Sequence, residues 1–190
     1  MNDIASNSHS LPPHVAGFTL IELIVSITVL TILLVLTLPA FQAMLMNNRV
    51  LANADSLANS FNYARNVALS QNINVTTCPI GATASTTCGA NWQSGWIVVS
   101  QPATGAAVLL QANATSANAP VVTAIQVNGA AAGSVTFDAR GIATTQANFV
   151  VCDSRGSAFA RSVEVLPTGF VQSGSTMGIA VWNGGALVCP

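Results

Sequence analysis

One carboxylate, Glu22, stands near the start of an apolar run that continues through Ala40. A charge in hydrocarbon costs about 3 kcal/mol on insertion scales, so a residue of this type in this place calls for a partner or a task. The other reactive groups are few. Four cysteines, Cys78, Cys88, Cys152 and Cys189, allow three disulfide pairings. Cys78 and Cys88 close a short loop holding Pro79 and Gly81, so the expected bridges are Cys78–Cys88 and Cys152–Cys189. The alternative is four reduced, buried thiols. A four-cysteine zinc site is disfavoured because no pair has the close Cys-x₂₋₄-Cys spacing. There is no lysine, the cations are Arg49, Arg65, Arg140, Arg155 and Arg161, and the two histidines, His9 and His14, lie ahead of Gly17.

The elements that must position these groups follow from periodicity. The run from Phe18 is apolar on every side and long enough for a bilayer span, which takes roughly 20 residues. Pro39 predicts a kink or local unwinding near Leu36–Pro39. Beyond it the pattern turns amphipathic. Val50, Ala54, Leu57, Phe61, Ala64 and Ala68 recur at spacings of three and four, with Asn47, Asn48, Asp55, Asn59, Asn62 and Asn66 mostly elsewhere. The helix is expected to end near Ser70–Asn72. The remainder reads as short strands: 74–78, 95–99, 107–110, 121–127, 134–137, 148–152, 161–165 and 177–182, with turn signals between them, Asn128-Gly129 foremost. Charged residues make up 6% of the chain and hydrophobic ones 51%, against about 25% charged in an ordinary globule. The predicted class is α+β: a long N-terminal helix, half membrane-spanning and half amphipathic, packed on a β-rich C-terminal domain.

Gly17-Phe18-Thr19-Leu20-Ile21-Glu22 closely resembles the processing site of type IV pilins and type II secretion pseudopilins. The resemblance implies cleavage after Gly17 and N-methylation of Phe18 by a prepilin peptidase, and it makes Glu22 the assembly residue, paired with the Phe18 amino group of a neighbouring subunit. The domains would be a leader (1–17), a transmembrane and assembly helix (18–41), an amphipathic helix half (42–72) and a periplasmic β-rich domain (73–190). Leaders of this family usually carry basic residues, and this one has neither Lys nor Arg. Removing it takes Asp3 and both histidines, leaving five arginines against five carboxylates. That balance predicts no long-range attraction to anionic surfaces. Without His or Lys the mature chain lacks the usual general base and any Ser-His-Asp triad, so no catalytic residue, cofactor or metal is assigned.

The body is similar to the GspH/FimT group of that superfamily. The resemblance rests on Cys78-Pro79 through Asn91-Trp92 and Gly95-Trp96-Ile97-Val98, on Val135-Thr136-Phe137-Asp138-Ala139-Arg140-Gly141, and on Val151-Cys152-Asp153-Ser154-Arg155-Gly156 with Pro167-Thr168-Gly169. It implies a minor pilin or pseudopilin, with prepilin peptidase, other pilins and the inner membrane as partners. The alternative is a DNA-binding minor pilin for DNA uptake. Such members carry Gly-Arg-x-Arg in the tail, where this chain has Gly169-Phe170-Val171-Gln172. Phosphate binding needs cations, which leaves Arg140, Arg155 and Arg161 as a weak candidate patch that Asp138 and Asp153 would neutralise.

Overall fold

Thr19 precedes a 52-residue α-helix, α1, spanning Leu20–Gln71. The structure is a computed structural model and describes residues 17–81, 86–116, 119–127 and 130–189. Thr19 Oγ1 accepts the backbone N–H of Glu22 at 3.3 Å, satisfying one of the four N–H groups that a helix start leaves without an internal partner. Thr-x-x-Glu is the capping-box pattern. Glu22 therefore also sits in the first turn, where the helix macrodipole favours negative charge.

The chain divides after Gln42 into two units. In the first, every described residue is exposed. Its hydroxyls are satisfied within the helix: Ser26 donates to the Glu22 carbonyl at 2.6 Å, Thr28 to Val25 at 2.8 Å, and Thr31 to Ile27 at 2.7 Å. Polar side chains in hydrocarbon need this kind of internal partner. The expected unwinding at Pro39 does not occur, since the helix runs through it without interruption. Proline removes a single bond, the one to Val35, and the neighbouring turns carry the helix across.

In the second unit, Val50, Ala54, Leu57, Phe61, Ala64 and Ala68 are all buried, and Asn48, Asp55, Asn59, Asn62 and Asn66 are exposed. The helix ends with Asn72 in the left-handed region (φ 54°) and Ile73 N–H returning to the Ala68 carbonyl at 3.3 Å. This six-to-one closure satisfies one of the last carbonyls.

Among the described residues nine strands follow: β1 Asn74–Pro79, β2 Gly95–Gln101, β3 Val108–Ala114, β4 Val121–Val127, β5 Ala130–Ala131, β6 Val135–Phe137, β7 Ala147–Cys152, β8 Arg161–Val165 and β9 Val171–Ser173. They form two antiparallel sheets, ordered β3-β2-β1-β6 and β5-β4-β7-β8-β9. The Asn128-Gly129 turn lies outside the described residues, although the strands flanking it pair, Val127 opposite Ala130. The core joins α1 to the second sheet through stacked rings: Phe61 lies 5.1 Å from Phe149 of β7, and Trp92, in the short turn before β2, lies 4.8 Å from Phe149, between ring centroids.

The tail differs from expectation. Residues 177–182 form turns instead of a strand, with one isolated bridge between Ile179 and Ala186. Gly178 takes φ 73°, a left-handed value incompatible with an extended strand. The edge strand β9 replaces it. The Pro167-Thr168-Gly169 turn folds the chain back, so that Val171 pairs with Val165.

Candidate functional site

The motif residues of the body converge on α1 and fix it at three levels. Nearest the apolar segment, Arg155 in the β7–β8 turn donates to Asn47 Oδ1 at 2.8 Å and to Asp153 Oδ2 at 2.6 Å. Its guanidinium also stacks 4.3 Å from the centre of the Phe159 ring. Arg155 and Asp153 side chains are only 17% and 13% exposed. In such a setting the attraction between them is weakly screened.

At mid-helix, Ser60 is buried in the apolar stripe. Its hydroxyl accepts the Trp96 indole N–H at 2.9 Å and the Asn113 amide at 3.1 Å, and donates to the Ser56 carbonyl at 2.8 Å. Sequence reasoning missed this node. The signal was there: a lone hydroxyl inside an apolar stripe needs buried partners.

At the far end, Arg65 Nε donates to the Gly141 carbonyl at 3.0 Å, and Ala143 N–H bonds the Pro167 carbonyl at 3.1 Å. Gly169 has φ 79°, and a Cβ there would stand 1.8 Å from the Gly141 oxygen. The two motifs ending in Gly141 and Gly169 are thus halves of one junction, and only glycine at 169 allows them to meet. Beside it, Arg140 pairs with Asp138 at 2.8 Å, with Arg140 79% exposed. The Asp138 carboxyl is held below its usual range, first by the Ile142 N–H and then by the Arg140 side chain.

Arg140 and Arg155 do not share a patch. They belong to the Arg65 and Asn47 ends of the second unit, and those two residues lie about 27 Å apart along α1. Arg161 donates to the carbonyls of Gly174 and Ser175, holding the tail. Each of the three guanidiniums already has an acceptor.

Both expected disulfides are present. Cys78–Cys88 bridges Cα atoms 5.5 Å apart, and Cys152–Cys189 bridges Cα atoms 6.0 Å apart. The second fastens the tail to the outer face of β7, over a small apolar cluster of Val150, Ala160, Ala180 and Leu187. In the first unit, Phe18 is 80% exposed, and among the described residues nothing lies within 4 Å of where a Gly17 Cβ would project. The described residues make no demand for glycine at position 17.

Comparison with known proteins agrees with this architecture. The family described as type II transport protein GspH matches residues 53–169, and the prokaryotic N-terminal methylation motif matches residues 13–38. The chain is similar to the type IV minor pilin FimU of Pseudomonas aeruginosa strain PAO1. The match to one crystal form has 19% identity and a TM-score of 0.52, and covers 68% of this chain and 95% of that one. A second crystal form of FimU matches at 19% identity and a TM-score of 0.48, covering 65% and 90%. No curated sequence matches the chain. At this identity the structural likeness establishes the type IV pilin fold, while the family match spans most of the body. The chain belongs to the GspH family of type IV pilin-like proteins.

Proposed function

We propose that the chain is a minor pilin or pseudopilin, a structural subunit of a type IV pilus or a type II secretion pseudopilus. Prepilin peptidase cleaves after Gly17 and methylates the Phe18 amine. Residues 18–41 hold the protein in the inner membrane, with the body in the periplasm, until it enters a filament.

One observation carries this reading: a single helix buries its apolar stripe from Val50 onward and leaves its entire apolar stretch before that exposed. A surface of that extent needs lipid at first and neighbouring helices afterwards. The freedom around Gly17 adds to it, since a glycine the described residues do not require is available to be read by a peptidase. Glu22 then pairs with a neighbour's Phe18 amine. An ion pair in a low-dielectric interior adds little net cohesion, yet breaking it is costly, so it sets register while apolar packing holds the filament.

The DNA-uptake reading draws no support from Arg140, Arg155 and Arg161, which are dispersed and occupied. Mass spectrometry of the native membrane fraction tests the proposal. The expected species begins with N-methylated Phe18, and Gly17→Leu abolishes it. Glu22→Ala leaves processing intact and lowers recovery in sheared filaments. An intact leader with unmodified Phe18 overturns the reading.

A further inference from the structure

Four of the five arginines have acceptors: Arg65 on Gly141, Arg140 on Asp138, Arg155 on Asp153, and Arg161 on Gly174. Arg49 has no hydrogen-bond or ion-pair partner among the described residues. It stands where two clefts adjoin. One, of 650 Å³, also has Met46, Gln93 and Ser154 in its wall; the other, of 570 Å³, has Ala52, Asn53 and Ser56. Ala119 and Pro120 belong to both. The Asn53 side-chain oxygen is buried in this region with no donor among the described residues. A buried acceptor without a donor is costly. An occupant that matches the site brings a carboxylate for Arg49 and an N–H for Asn53. That combination describes a polypeptide carrying an acidic side chain.

The chain itself offers the complementary group. Asp55 is exposed and has no partner among the described residues, whereas Asp138, Asp153 and Glu164 are all engaged. Asp55 lies six residues beyond Arg49 on α1, about 9 Å along the axis and about 120° around it. The two cannot pair within one chain and stand on different faces of the helix. A cationic face and an anionic face on one helix make a heterologous contact, the kind that propagates as an open helical assembly.

We propose that the Arg49 cleft is a subunit-docking site. It receives a helix-borne carboxylate, of the kind Asp55 presents, from the adjacent pilin subunit. This inference rests on the structural-subunit reading above.

The test uses the full-length protein in cells that assemble the filament. A photoreactive phenylalanine analogue replaces Ala52, at the cleft wall. The expected product is an adduct with another pilin subunit, mapped to an acidic segment of its helix. In parallel, Arg49→Glu lowers recovery in sheared filaments about fivefold, while Arg49→Lys retains most of it. An adduct with lipid alone, or no adduct together with equal recovery of Arg49→Glu, overturns the inference and leaves the proposed function standing. Absence of the wild-type chain from filaments overturns both.

Discussion

Arg155 Nη1 lies 2.8 Å from Asn47 Oδ1, so the β7–β8 turn is tied directly to the helix that leaves the body. The same guanidinium neutralises Asp153. The Asp-Ser-Arg-Gly run is therefore a clamp on α1 near the start of the second unit.

Replacing Arg155 with alanine leaves Asp153 charged, mostly buried and without its cation. Loss of a partner from such a pair is more damaging than loss of an exposed bridge. Urea unfolding of the Arg155→Ala protein is expected to show a loss of about 2–3 kcal/mol. Arg140→Ala, whose arginine is 79% exposed, is expected to lose less than about 1 kcal/mol.

Ser60→Ala strands two donors, the Trp96 indole and the Asn113 amide. The expected cost is about 1–3 kcal/mol. Trp96 fluorescence should shift as its N–H loses its partner, whereas Ser70→Ala, whose hydroxyl bonds only the Val67 carbonyl at an exposed position, should leave stability nearly unchanged.

The two disulfides should contribute unequally. They close loops with sequence separations of 10 and 37. Chain-entropy reasoning gives about 3 kcal/mol for the shorter and about 4 kcal/mol for the longer. A Cys152→Ser/Cys189→Ser variant is expected to lose more stability than Cys78→Ser/Cys88→Ser. Hydrogen exchange should accelerate first at the Leu187 amide, which bonds the Gly178 carbonyl at 2.8 Å.

Asp138 supplies a pH dependence with a definite sign. Its native pKa lies below the ordinary value, through the Ile142 N–H and the Arg140 side chain. The folded state therefore binds this proton less readily than the unfolded state. The contribution is fully present above the ordinary aspartate value of about 4 and is lost as pH falls through the native value. Unfolding midpoints of the wild type and Asp138→Asn should differ at pH 6 and converge as the pH approaches 2.

Much of this was readable in one dimension. The spacing of Val50, Ala54, Leu57, Phe61, Ala64 and Ala68 defined the buried helical stripe, because helical periodicity is a local property. Seven of the eight expected strands appear close to their predicted bounds. The stretch 177–182 misled because alternation of apolar residues resembles a strand, while its actual form is set by Gly178 and by the bridge from Cys189 to Cys152. β9 escaped notice because a three-residue edge strand has no period of its own and exists only by pairing with β8.

The sequence by itself determined the class: a charge in an apolar run, an N-terminal methylation motif around it, an amphipathic continuation and a β-rich body. Each depends on neighbours along the chain. Only the tertiary structure decided what the motif residues do. Asp153-Ser154-Arg155, the Gly141 and Gly169 motifs, and Trp96 all proved to be attachment points for α1, and Arg49 was left as the cation without an acceptor among the described residues. Such roles depend on distances between segments far apart in sequence, and packing of two sheets against one helix sets those distances.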